Sequence, residues 1–362
     1  MKKLVALLVT IALLGAQQVL AQNQSMGDDP ESAHDDPPSW KDVVRTYEPL
    51  YVGYTFDEDD QAYLDFSLSV ITPASIVFPW ESWNPSNKFP VEGQDYDKPD
   101  LFPYQPRLYL AFSGRAGQYM GTRESSPVVG KRFNPLLSAR WWHKRRDLTS
   151  SRRDPGYSLH DYFEISYGHE SNGQRIGDLT DPQTPEEEAL GRNRFEALQA
   201  EYQLVDGDAS IARDQLSRGW DYLGARWASS WKIDTGRLFF MFDGRYYLEE
   251  GMLQDGAEEY NIWENDDEWL ARYDEEIRRA KVDGLRASVR YQSKSLDWFF
   301  DANEIMLELR TGYNDPFERI TARLELGFKY TSLWYRYGYN SDLVDYYRKD
   351  SSWGLAIKIR SF

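Results

Sequence analysis

The chain has 362 residues, 59 acidic against 42 basic, for a net charge of −17, with 15% aromatic residues and no cysteine. An acidic chain without a basic cluster excludes a phosphate-backbone binder and hence a nucleic-acid partner, and the lack of cysteine excludes disulfide frameworks, zinc–thiolate sites and thiol catalysis. High aromatic content with a polar mean hydropathy suits strands that alternate lipid-facing apolar with lumen-facing polar residues.

Met1-Lys2-Lys3, the apolar run Leu4 to Ala16 and the small-residue pattern Val19-Leu20-Ala21 read as a signal peptide over residues 1–21, which implies export. No later run reaches the roughly 18 apolar residues of a transmembrane helix. Residues 22–45, acidic and proline-bearing, read as a disordered tail. From 46 to 362 a period of two dominates and marks one barrel domain. In AYLDFSLSV, Ala62, Leu64, Phe66, Leu68 and Val70 share one face, and Tyr63, Asp65, Ser67 and Ser69 the other.

About twelve strands follow, near 48–56, 61–71, 107–119, 135–142, 159–171, 220–231, 236–247, 284–292, 297–310, 318–330, 332–339 and 353–361. A soluble sandwich also alternates. Charge recurs on the second face, as in Arg286, Arg290, Arg323, Glu325 and Lys329, and aromatic residues gather near strand ends. This favours an all-β, transmembrane antiparallel barrel of a Gram-negative outer membrane. The even strand number leaves both ends periplasmic. Phe362 ends the chain as in many such barrels, although it falls out of phase with the lipid-facing Leu355, Ile357 and Ile359. Arg323 with Glu325, and Glu308 with Arg310, predict a lumen filled by paired charges.

Two insertions interrupt the strands. Residues 184–205 carry Thr184 as N-cap, Pro185 at the first helical position and Glu187 completing a capping box, with Leu190, Ala197, Leu198 and Tyr202 at helical period. They predict a helix in an extracellular loop. Residues 249–276 hold twelve acidic residues against the single basic Arg272 and read as a solvated outer loop, with a minor chance of gathering divalent cations.

Within ISYGHESNGQ, residues 165–174, the pleat places His169 and Ser171 on the face of Phe163, Ile165 and Tyr167, the lipid side. A polar pair exposed to bilayer costs free energy, so its presence there points to function. A histidine two residues from a serine on one strand has the reach to activate it. Taken alone the pair is more often an interfacial histidine beside a turn serine, with Asn172-Gly173 as an ordinary turn. A third group must fix the histidine tautomer. Asp221 stands in phase with Leu223, Ala225, Trp227 and Trp231 at the start of the next strand and is the candidate, against a simple snorkelling carboxylate. Its carboxylate would stabilise the imidazolium. An asparagine there would still offer an oxygen to the Nδ1–H.

These residues resemble the outer-membrane phospholipase A family of Gram-negative bacteria from about Arg107 to the end, and more weakly from Tyr47. GHESNGQ is similar to the family's His-x-Ser-Asn-Gly strand end, SRGWDYLGAR to its Ser-Arg-x-Trp-Asn segment, and YRYGYNSDLVDYY with GLAIKI to its last two strands. The resemblance implies His169 as base, Ser171 as nucleophile and Asp221 where the family has asparagine. It also implies calcium held by Ser125 of ESSPVVG from a partner subunit, by Ser217 and by the Gln174 carbonyl, with main-chain N–H groups from Ser171 to Gly173 at the oxyanion. The loop from Gly173 to Ser217 is longer than in the family. The implied activity is calcium-dependent hydrolysis of phospholipid acyl esters by a calcium- and substrate-promoted homodimer. A non-catalytic porin or structural barrel and a lipopolysaccharide acyl-chain hydrolase are the alternatives. Asn193, in GRNRF, lies at a tempting distance after the histidine but falls within the predicted helix.

Overall fold

In the computed structural model the described residues are 43–57, 62–76, 106–119, 128–144, 146–147, 157–174, 184–205, 207–233, 235–254, 256–257, 259, 278–293, 304–328, 330–340 and 342–359. The signal peptide, the acidic tail up to residue 42 and Phe362 lie outside them. Twelve antiparallel strands form one closed barrel: β1 (Leu50–Asp57), β2 (Ala62–Pro73), β3 (Arg107–Tyr119), β4 (Val128–Lys144), β5 (Tyr157–Ser171), β6 (Gly219–Ile233), β7 (Gly236–Tyr247), β8 (Gly284–Ser293), β9 (Glu304–Gly312), β10 (Ile320–Gly327), β11 (Thr331–Gly338) and β12 (Asp350–Ile359). Each pairs with its chain neighbours, and β1 closes on β12 from Leu50 against Ile359 to Asp57 against Ser352. Arg146 and Asp147 add a two-residue parallel bridge to the end of β6. No helix among the described residues is long and apolar enough to cross a membrane.

The barrel is apolar outside and charged inside. Phe66, Leu68 and Val70 of β2, Leu324 and Leu326 of β10, and Leu355 and Ile357 of β12 are exposed, while Asp65, Ser69 and Glu325 between them are buried. This is the alternation expected of strands with a hydrocarbon surround. The predicted ion pairs form: Arg323 meets Glu325 at 2.9 Å and Arg310 meets Glu308 at 2.7 Å. Packing is incomplete, since a cavity of about 910 Å³ persists in the lumen.

The boundary drawn at Arg45 falls on paired chain. Arg45 exchanges both backbone hydrogen bonds with Ile71, at 3.0 and 2.8 Å, and the Thr72 hydroxyl donates to the Val43 carbonyl. Val43–Arg45 therefore extends the barrel.

The long connections 172–218 and 248–283 leave from one end, together with 339–349. There the described parts of the last two pack with an aromatic cluster of Trp220, Tyr222, Tyr247, Tyr339, Tyr346 and Tyr347. Helix α1 (Pro185–Val205) occupies the first connection. It is anchored by Phe195, buried with Ala212, Leu216 and Val344, with Leu198 and Tyr202 packed alongside. Leu190, expected on the buried face, is exposed.

The lumenal pair Arg140–Glu164 tests the inside-out design. Arg140 donates from Nε at 2.9 Å and from Nη2 at 2.6 Å to Glu164, whose other oxygen accepts from the Tyr47 hydroxyl at 2.8 Å. Removing one member of a buried ion pair strands the other, at a cost of about 3–5 kcal/mol. Glu164→Ala should lose stability on this scale in urea unfolding from lipid vesicles, and Glu164→Gln clearly less. A loss below about 1 kcal/mol would mean that lumenal water solvates the guanidinium.

Candidate active site

β5 and β6 are antiparallel neighbours, and their register sets His169 directly opposite Asp221 and Ser171 opposite Gly219. The outward phase holds along both strands: Phe163, Ile165, Leu223 and Trp227 are exposed on the outer wall. His169 Nδ1 lies 2.7 Å from Asp221 Oδ1. That contact holds the ring so that Nε2 faces away from the carboxylate, the orientation a general base needs. Residue order, strand phase and register thus bring the three candidates to one place on the wall.

Their burial breaks with their phase. Ile165 is 47% and Leu223 49% exposed, whereas His169, Ser171 and Asp221 are 7%, 3% and 2% exposed. The loops that rise from the same barrel end cover them. Over Asp221 lies the start of the acidic insertion. Its Oδ2 accepts from the Leu253 N–H at 2.7 Å and the Gln254 N–H at 3.3 Å, and from the Tyr167 hydroxyl, which itself accepts the Met252 N–H at 2.6 Å. The insertion is therefore not simply a solvated loop. Glu259, one of its carboxylates, accepts from the Trp220 indole at 3.0 Å, the Tyr346 hydroxyl at 2.7 Å and the Arg279 N–H at 3.0 Å.

Asn172 is also more than a turn residue. It is buried; its Nδ2 donates to the Leu216 carbonyl at 2.7 Å, and its Oδ1 accepts from the Arg218 N–H at 2.9 Å and the Gln174 N–H at 3.4 Å. One side chain thereby ties the strand end to the segment entering β6. That segment is held from above by Arg213, which meets Asp345 at 2.8 Å and also donates to the Tyr347 hydroxyl. Burial pushes the Asp345 carboxyl up, yet Arg213 and then Arg348 hold it below the ordinary carboxylate range. Gly173 sits at φ +64°, a left-handed conformation that lets the chain turn out of β5 without strain.

Of the three oxygen donors implied for calcium, Ser217 is buried, and Gln174 lines a narrow cleft with Asn172, Asp214 and Asp342. Hydroxyl, carbonyl and carboxylate oxygens are the donors a hard cation takes. The third, Ser125, lies outside the described residues. No cluster of three or more histidine, aspartate or glutamate side chains arranged for a metal occurs among the described residues. Asn193 is exposed on α1, away from the strand face.

Sequence reasoning missed Tyr167, Asn172 and the Leu253–Gln254 amides. Tyr167 shares the phase of His169 and was legible as a neighbour. The amides carry no side-chain signature.

No protein-family model matches the chain, and no curated protein sequence matches it. Among solved structures the chain is similar to outer membrane phospholipase A from Escherichia coli, with 16% identity over 91% of this chain and 95% of that one, at a TM-score of 0.49. It is also similar to the Salmonella typhi outer membrane phospholipase dimer with bound calcium, with 14% identity over 90% of this chain and 94% of that one, at a TM-score of 0.47.

Proposed function

We propose that this chain is an outer-membrane serine hydrolase that cleaves the acyl esters of phospholipids, with Ser171 as nucleophile, His169 as base and Asp221 as the residue that orients the imidazole. The observation that carries the reading is the 2.7 Å contact between His169 Nδ1 and Asp221 Oδ1. It lies across paired strands on an apolar outer wall, with Ser171 two residues further along the histidine's strand. A barrel serving only as a pore gives no reason for a buried His–Asp pair outside its lumen.

Ser171 Oγ attacks the ester carbonyl carbon while its proton passes to His169 Nε2. The tetrahedral adduct collapses, the bond to the glycerol oxygen breaks, and the histidine returns the proton to that leaving alkoxide. Water, deprotonated by the same nitrogen, then attacks the acyl-serine and releases the fatty acid. The Asn172 N–H is committed to the Arg218 carbonyl at 3.1 Å, which makes the Gly173 N–H the donor assigned to the oxyanion. Acyl chains would lie along Phe163, Ile165, Leu223 and Trp227, which favours a lipid over a soluble ester.

Calcium, held by Ser217, the Gln174 carbonyl and Ser125 of a second copy, would supply positive charge to the oxyanion. In this reading the copies meet through their apolar walls, and substrate with calcium promotes the homodimer. Asn172 holds the Gln174 N–H and the chain on either side of Ser217, at Leu216 and Arg218.

Ser171→Ala should abolish hydrolysis of defined phospholipids in detergent micelles, with native heat-modifiable mobility on gels. Retained hydrolysis would sink the assignment. Chelation should stop the native enzyme, calcium should restore it, and Ser217→Ala should raise the calcium needed for half-activity by about tenfold or more. Full activity in chelator would remove calcium from the mechanism. Asp221→Ala should reduce turnover at least about a hundredfold and Asn193→Ala should leave it within about twofold. The reverse pattern would place the third residue on α1.

A further inference from the structure

Asp221 is held on both oxygens, and the two sets of partners differ in kind. Oδ1 faces His169 Nδ1 at 2.7 Å. Oδ2 faces only donors: the Tyr167 hydroxyl, the Leu253 N–H at 2.7 Å and the Gln254 N–H at 3.3 Å. With the Met252 N–H on the Tyr167 oxygen at 2.6 Å, three successive main-chain N–H groups point at this corner of the site. Successive amides turned to one side form a concavity for an anion. The segment is fixed in place by its own turn, Gly251 N–H to the Gln254 carbonyl at 3.0 Å, and by the Leu248 N–H on the Asp221 carbonyl at 2.9 Å. Gly251 is required for the approach, since a Cβ there would stand 2.0 Å from Oδ2.

We propose that the Gly251–Gln254 segment and Tyr167 form an anion cradle that positions Asp221 for His169 and restricts position 221 to a carboxylate. The inference rests on the hydrolase reading above and adds positioning residues to it. An amide in place of the carboxylate has two orientations, and both fail. With its oxygen toward His169, its NH₂ meets the Leu253 and Gln254 donors head on. With its oxygen in the cradle, its NH₂ faces Nδ1, so Nδ1 must accept and the proton moves to Nε2, where it blocks transfer from Ser171. Without the cradle an asparagine would serve as an acceptor, as side-chain chemistry alone suggests; the cradle removes that freedom. The acidic insertion thus acts on the catalytic group through its main chain.

The test is a double-mutant cycle in the full-length protein, read as kcat and KM on micellar phospholipid in calcium and as the labelling rate of Ser171 by a sulfonyl fluoride. Asp221→Asn should lower kcat at least about a hundredfold with KM within about twofold. Tyr167→Phe should lower kcat by about tenfold. Leu253→Pro, which deletes the nearer of the two main-chain donors to Oδ2, should cost about tenfold alone and raise kcat at least about tenfold when added to Asp221→Asn. If Leu253→Pro does not fold by heat-modifiable mobility, Gly251→Ala, which lifts the segment, takes its place with the same expectations. Asp221→Asn within about threefold of native kcat would overturn the cradle, as would an inactive Asp221→Asn that neither strap variant improves. Ser171→Ala, run in parallel, separates this from failure of the hydrolase reading: activity in that variant refutes the reading itself, whereas an inactive Ser171→Ala beside a fully active Asp221→Asn refutes the cradle alone.

Discussion

Glu170 stands between the candidate base and nucleophile in the chain and points the opposite way, into the barrel, where it is fully buried. Three arginines converge on it: Arg279 at 2.9 Å, Arg132 at 3.2 Å and Arg245 at 3.3 Å. A strand has a side-chain period of two, so a slip of one residue would carry this carboxylate to the apolar outside and leave three guanidinium groups without it. The cluster therefore locks the register of β5. The same register sets Asp221 of β6 opposite His169.

Inner and outer faces are coupled in this way along the whole strand. Glu164 repeats the device lower in the barrel with Arg140 and Tyr47. Across β6 and β7, Arg226 meets Asp243. The ion pairs are poor sources of net stability, because desolvation offsets most of their attraction. Their strength lies in what they forbid: each mispaired register strands a charge. A site needing sub-ångström placement on the outer wall gains rigidity from a lumen that accepts one arrangement.

Much of this was legible in the sequence, because period-two patterning carries phase as well as strand identity. AYLDFSLSV, with the second-face charges such as Arg323 and Glu325, separates the apolar face from the lumen, and the phase of Leu223 and Trp227 gives Asp221 its side of the sheet. The opposition of His169 and Asp221 needed the register as well, which patterning does not contain. Loops were read less well. The insertion 249–276 was judged by its charge count, yet the parts that matter most are a glycine and two backbone amides, which charge does not register. Phe195 was passed over in favour of Leu190 because several faces of α1 offer apolar residues, and only the position of Leu216 and Val344 decides among them. Asn172 looked like half of a turn, since its three partners lie two residues on and 44 to 46 residues on.

The aspartate at position 221 and the Gly251–Gln254 segment above it belong together. Burial of the Asp221 carboxylate, at 2% exposure, is costly unless something balances it. Donors aimed at the second oxygen supply that balance without a formal charge, as main-chain amides do at helix ends and anion nests. Water is kept from the pair by the same segment, which strengthens the hydrogen bond to the imidazole in the lower local dielectric. A carboxylate so held meets the histidine ring at one oxygen and the segment's donors at the other. The segment that covers the site and the acid beneath it fit one another: its donors face the second oxygen, and Gly251 leaves room for that oxygen to approach.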